Sequence, residues 1–84
     1  MSYSITYTSA ARRQIRKLPG DARRAVEMAV CDVARDPYRA RGVAKMADGS
    51  GYRLRVGRYR VIYTADHRRL VVTVVRAADR REVY

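Results

Sequence analysis

Arg53, Arg55 and Arg60 recur through the run GYRLRVGRYRVIY, residues 51–63, where apolar side chains fill most of the other places. A guanidinium keeps its charge at any ordinary pH and forks onto two phosphate oxygens at once. The chemistry such a cluster supports is the holding of an anion and the stabilising of negative charge building up at phosphorus. A second group sits in VVRAADRREVY, where Arg76, Arg80 and Arg81 precede a terminal Tyr84. A tyrosine there can stack on a base, worth ~1–3 kcal/mol, or carry a proton on its phenol. The plainer reading is that the arginines only solvate an open face. Their clustering on one expected face favours an anion site.

The elements around these residues follow from their patterning. Gly57-Arg58 is a two-residue loop with glycine first, which predicts a type II′ hairpin. That turn sets Val56 opposite Tyr59, Arg55 opposite Arg60, Leu54 opposite Val61, Arg53 opposite Ile62 and Tyr52 opposite Tyr63. One face then carries Tyr52, Leu54, Val56, Tyr59, Val61 and Tyr63, and the other carries Arg53, Arg55, Arg60 and Ile62. Like charges directly opposite destabilise a sheet, by ~1 kcal/mol at 4 Å in water and more near a low-dielectric surface. A phosphate chain laid across the pair reverses the sign.

Upstream, Tyr3, Ile5 and Tyr7 alternate with Ser and Thr and predict a strand. Thr8 or Ser9 can cap a helix bearing Ala11, Ile15 and Leu18 on one side, ended by Pro19-Gly20. Asp21 is expected to cap a second helix, whose stripe is Val26, Ala29, Val30 and Val33 and whose end is Asp36-Pro37. Residues 37–50 read as a loop with a short strand or turn, and strands are expected near 51–56, 59–65 and 70–76. The fold class this predicts is α+β: two N-terminal helices on one face of a twisted, mainly antiparallel sheet of about four strands, as a single domain over 1–84.

The chain has 84 residues and a formal net charge of +11, which favours a polyanionic partner: RNA, DNA, an anionic membrane or an acidic protein. Cys31 is the only cysteine, which excludes an internal disulfide and suits a reducing cytosol. No signal peptide and no membrane-spanning apolar stretch are visible, so no membrane partner is expected. No His/Asp/Glu cluster stands at metal-ligand spacing. His67, in a predicted turn, reads as solvated, and Cys31 as a packing residue. Arg12, Arg13, Arg16, Lys17, Arg23 and Arg24 read as a basic helix surface that is either solvated or grips ribosomal RNA through its phosphates.

On the stretches YSITYTSAARRQIRKLP, DP at 36–37, KMADGSGYRLRVGRYRVIY and DRREVY, the chain resembles the RelE branch of the RelE/ParE toxin superfamily. The resemblance runs nearly the whole length, and YRLRVGRYRVIY and RREVY are its specific parts. It implies a cytoplasmic toxin of a type II toxin–antitoxin system: a metal- and cofactor-independent mRNA interferase that cuts mRNA in the ribosomal A site and so arrests translation and growth. It implies three partners, namely the ribosome, mRNA and a cognate antitoxin with an acidic amphipathic segment. By the same resemblance Arg60 stabilises the cleaved phosphate, Arg80 is the second arginine with Arg81 beside it, and Tyr84 is the late tyrosine. Arg53 and Arg55 occupy the two basic strand positions. From their places in the chain, not from the resemblance, Arg76, Arg81 and Lys45 are expected to join them in RNA contact. The well-studied branch carries lysines where this chain has Arg53 and Arg55. Arginine does not give up its proton, so two sources of the general base stay open: Tyr84, the preferred one, whose phenol pKa nearby cations lower, or the ribosome or RNA, with the arginines acting mainly as electrostatic clamps. Two alternatives stand beside this reading: a ParE-like inhibitor of DNA gyrase, and a non-catalytic RNA-binding relative.

Overall fold

A computed structural model describes residues 2–79 and Arg81. The chain runs β1 (Ser4–Tyr7), α1 (Ser9–Arg16), α2 (Gly20–Arg35), β2 (Val43–Lys45), β3 (Tyr52–Val56), β4 (Tyr59–Asp66) and β5 (Val71–Asp79). The sheet order is β1-β5-β4-β3-β2. Strands β2 to β5 form an antiparallel meander, and β1 joins β5 in parallel. The expected α+β class holds, with five strands where about four were expected. The extra one is β2, three residues in the 37–50 loop and too short to show an alternating pattern.

The helices arise for local reasons. Thr8 is extended and its Oγ1 accepts from Ala11 N at 3.1 Å, capping α1, while Arg13 and Arg16 in the last turn suit the negative end of the helix dipole. α2 differs from expectation at its start. Its N-cap is Pro19, with no side-chain cap bond, and Asp21 lies inside the first turn. Proline's fixed φ sets the entry angle, so Asp21 acts there as a charge favourable to the dipole rather than as a cap.

Ala11 and Ile15 of α1 and Val26, Val30 and Val33 of α2 pack against Leu54, Val61, Tyr63, Val72, Val74 and Ala77 of the sheet. The chain has no Phe or Trp, so Tyr63 is the largest fully buried side chain. Its hydroxyl donates to the Pro37 carbonyl, which ties the core to the segment leaving α2 and satisfies a polar group that would otherwise be buried unpaired.

The end of β5 extends past its expected limit at residue 76 to Asp79. β1 pairs only with residues 71–74, so β5 has no strand on that side beyond Val74. α1 covers the gap: Gln14 Oε1 accepts from Ala77 N at 2.8 Å, and Thr8 Oγ1 donates to Val75 O at 3.3 Å. Between Ile62 and Tyr63 the register with β5 shifts by one residue, a bulge beside Val75.

Gly51 enters β3 at φ +146°, and a Cβ built on it would lie 2.5 Å from the Tyr63 carbonyl oxygen. Both the backbone conformation and the close approach require glycine. Gly51→Ala is expected to cost about 2–4 kcal/mol, read as a drop in the urea midpoint at unchanged m-value.

Candidate nucleic-acid interface

The β3–β4 hairpin forms as its turn dictates. Gly57 sits at φ +59° and Arg58 keeps a negative φ, the type II′ geometry. The pairs are Val56–Tyr59, Arg55–Arg60, Leu54–Val61, Arg53–Ile62 and Tyr52–Tyr63, as predicted. On β5 the partners of β4 are Ala78 opposite Arg60 and Arg76 opposite Ile62. Two rows therefore cross the sheet on the face away from the helices: Arg55–Arg60–Ala78 and Arg53–Ile62–Arg76.

Arg60 departs from the expected open, solvated face. It is 5% exposed, while Arg55 beside it is exposed and Arg53 is half-buried. Its strand is the central one, flanked by β3 and β5, so neighbours on both sides shield it. Nη1 donates to the Tyr59 carbonyl at a weak 3.4 Å, and Nε has no hydrogen-bond partner among the described residues. A buried N–H without a partner forfeits its hydration, a cost of ~1–3 kcal/mol. An anion bound here would supply the missing acceptor and relieve the Arg55–Arg60 repulsion together.

The turn is clasped to the end of β5. Asp79 accepts from Arg58 Nε at 2.8 Å and from Nη2 at 2.7 Å, both on Oδ2, and from the Arg81 backbone N–H at 3.1 Å on Oδ1. Arg81 Nε lies 3.8 Å from the same Oδ1. The Arg81 N–H and then Arg58 hold the Asp79 carboxyl below its ordinary range. The clasp anchors the point at which the chain leaves β5 for its basic tail. Nothing in the sequence marks Arg58 and Asp79 as partners, because they are 21 positions apart and only the sheet brings them together.

The other expected site residues are placed as follows. Arg76 is exposed and shares the Arg53 row. Lys45 pairs with Tyr52, so its strand position points to the helix side of the sheet, and Ala44 takes the place beside Arg53. Lys45 still borders an open hollow with Arg53, Met46, Ala47 and Asp48 at the sheet edge. Arg80 and Tyr84 lie outside the described residues. His67 and Cys31 are exposed, and Cys31 is therefore not the packing residue expected. It falls on the α2 face turned away from Val26, Val30 and Val33.

Two helices on a five-stranded sheet, with arginines on its outer face and one of them buried at its centre, describe a RelE/ParE-type toxin domain. The ParE toxin family of type II toxin–antitoxin systems matches residues 5–84, and the chain belongs to it. It is 32% identical to Toxin RelG of Mycobacterium tuberculosis over the whole of this chain and 98% of that protein. Its fold is similar to a toxin–antitoxin complex structure, RelBE2 of M. tuberculosis, with a TM-score of 0.81 and 30% identity over 95% of this chain and all of that one. The archaeal RelE–RelB complex of Pyrococcus horikoshii shares the fold at a TM-score of 0.81 and 22% identity, covering 95% of this chain and 97% of that one. The protein is the toxin of a type II toxin–antitoxin system. Among the described residues no helix is long and apolar enough to cross a membrane.

Two outcomes follow from the site's electrostatics. Arg60→Met removes the unpartnered N–H and the opposed charge while keeping an unbranched stem, so it is expected to stabilise the fold by about 1 kcal/mol, ~4–8 °C in melting temperature. Asp79 has a lowered folded pKa, so its contribution is complete above the unfolded value of ~3.9 and is lost as pH falls through the folded value. Arg58→Ala is expected to move the Asp79 carboxyl midpoint part of the way back up, the Arg81 N–H remaining. Carboxyl-carbon NMR titration below pH 5 reads this directly.

Proposed function

We propose that this toxin is a ribosome-dependent endoribonuclease that cleaves mRNA in the A site. The observation that carries the reading is Arg60, a buried guanidinium with an unpartnered Nε set directly opposite Arg55. This pair costs stability in the free protein and gains when a phosphodiester lies over it. The same exposed face carries Arg76 in the adjoining row.

The reaction is attack of the RNA 2′-hydroxyl on the adjacent phosphorus. The 2′-oxygen–phosphorus bond forms, the bond to the 5′-oxygen breaks, and a 2′,3′-cyclic phosphate and a 5′-hydroxyl result. Arg60 and Arg55 meet the charge that accumulates on the phosphoryl oxygens. Arg53 and Arg76 steer the flanking phosphates. Arginine holds its proton, so the face supplies electrostatics and positioning, and Tyr84 is assigned the 2′ proton. The leaving 5′-oxygen recovers a proton from water or from the same phenol.

The partner that silences the toxin is an antitoxin with an acidic amphipathic segment, which would meet the charge of +11. The similarity to the RelBE2 toxin–antitoxin complex supports this assignment. The cytoplasm, where ribosomes and mRNA reside, is the proposed compartment.

The test is a reconstituted translation reaction with RNA 5′ ends mapped by primer extension. The parent is expected to cut within A-site codons, and Arg60→Met to cut at least a hundredfold less while remaining folded. Undiminished cutting by the variant would remove the phosphate-clamp role. Absence of cuts by the parent would turn the assignment to gyrase inhibition, read by a supercoiling assay, or to RNA binding without chemistry.

A further inference from the structure

The end of the sheet opposite the Gly57–Arg58 turn carries a second basic and aromatic cluster, whose outer edge at Asp66 lies about 20 Å from Arg60 by the six-residue rise of β4. Three segments meet there. Tyr3 N donates to Ala34 O at 2.7 Å, and Ser4 N donates to Leu70 O at 2.7 Å, so the end of α2, the start of β1 and the turn after β4 are joined. Tyr38 stands out on this surface with 42% of its area exposed; the other large exposed apolar residue among those described is Met28, ten positions earlier on α2.

Tyr38 is held rigidly. Its ring meets Tyr3 edge-on at 6.5 Å and Tyr52 at 5.5 Å, and Tyr52 stacks on buried Tyr63 at 5.5 Å. Its hydroxyl hydrogen-bonds the Tyr3 side chain, which raises its pKa to about 12 and keeps the phenol neutral. Asp36 Oδ1 accepts from the backbone N–H groups of Tyr38 and Arg39, each at 3.3 Å. An aromatic fixed in this way gives up little freedom when something stacks on it.

Cations surround it. Arg35 and Arg39 are exposed on its own side of the sheet end, and Arg68 and Arg69 are exposed on the turn after β4, close enough that Asp66 acts on the Tyr38 hydroxyl. The two nearby carboxylates are exposed, and each accepts from backbone: Asp36 as above, and Asp66 from the N–H groups of Arg68 and Arg69 at 3.0 and 3.1 Å. A single rigid π-face among guanidiniums, with no apolar groove beside it, suits an unstacked base flanked by phosphates. An amphipathic helix would need a row of apolar anchors, and among the described residues the large exposed apolar side chains are Tyr38 and Met28 alone.

We propose that Tyr38, with Arg39, Arg68 and Arg69, is a second RNA contact that stacks one unpaired base at the end of the sheet opposite the Gly57–Arg58 turn. It accounts for basic surface that the cleavage face does not use, and its binding test does not depend on cleavage. The probe is a single-stranded RNA dodecamer with a central 2-aminopurine, titrated in an Arg60→Met background that disables the cleavage face. Quenching of 2-aminopurine is expected, with Tyr38→Ala weakening binding roughly five- to hundredfold and Tyr38→Phe weakening it less than threefold. Arg39→Ser/Arg69→Ser leaves the tyrosine contacts in place, and is expected to flatten the salt dependence by about one phosphate contact or more. Unchanged affinity in both Tyr38→Ala and the double arginine variant, or displacement of the RNA by a glutamate-rich amphipathic peptide that itself requires Tyr38, would overturn the proposal. Loss of A-site cutting with this binding intact would sink the nuclease reading alone.

Discussion

Gly57 at φ +59° holds the register of the hairpin, and the placement of every cation on the sheet depends on it. Side chains alternate along a strand, so a slip of one residue would carry Leu54, Val61 and Tyr63 out of the core and drive the arginines into it. The apolar side thus enforces what the turn proposes. Asp79 adds a third restraint by gripping the turn residue Arg58, so the sharpest bend of the hairpin and the exit from β5 move as one unit. Arg55 and Arg60 stay face to face because these three restraints together outweigh a repulsion of about 1 kcal/mol or more.

Arg60 shows how the fold and the proposed task pull against each other. A central strand is the best-supported place in the sheet, and for a cation it is also the most dehydrated. The guanidinium at 5% exposure with an orphan Nε is a defect by the standards of stability and a preorganised anion contact by the standards of phosphoryl chemistry. Removing that charge would favour the fold, which is the usual signature of a functional group. The excess positive charge of the whole chain carries the same tension, which the acidic antitoxin segment proposed above would relieve.

Tyrosine does in this protein what Phe and Trp do elsewhere. Seven tyrosines stand in a chain with neither of the others. Tyr63 fills the core and caps the Pro37 carbonyl, Tyr52 stacks on it, and Tyr38 and Tyr3 carry the contact outward to the surface. Burial pushes the Tyr63 phenol above its ordinary range, so it remains a neutral donor. The chain of rings links the interior of the sheet to the segment after α2, and this is why an exposed aromatic can be rigid.

Local chemistry was legible in the residues themselves. The hairpin and its five cross-strand pairs follow from a glycine turn and period-two alternation, both of which act within a few positions. The apolar faces of both helices and the Thr8 cap follow from the same short range. The arginines could be assigned to one face, but not their burial, since shielding of Arg60 needs β5 beside β4. The parallel β1–β5 pair, the short β2, the reach of β5 to Asp79 under Gln14, and the Arg58–Asp79 clasp all join residues far apart in the chain. Asp21 misled because a proline two residues earlier had already fixed the helix entry. The sequence by itself determined which side chains share a face. Which of those faces are dry, and which distant charges meet, was decided only when the sheet closed around its central strand.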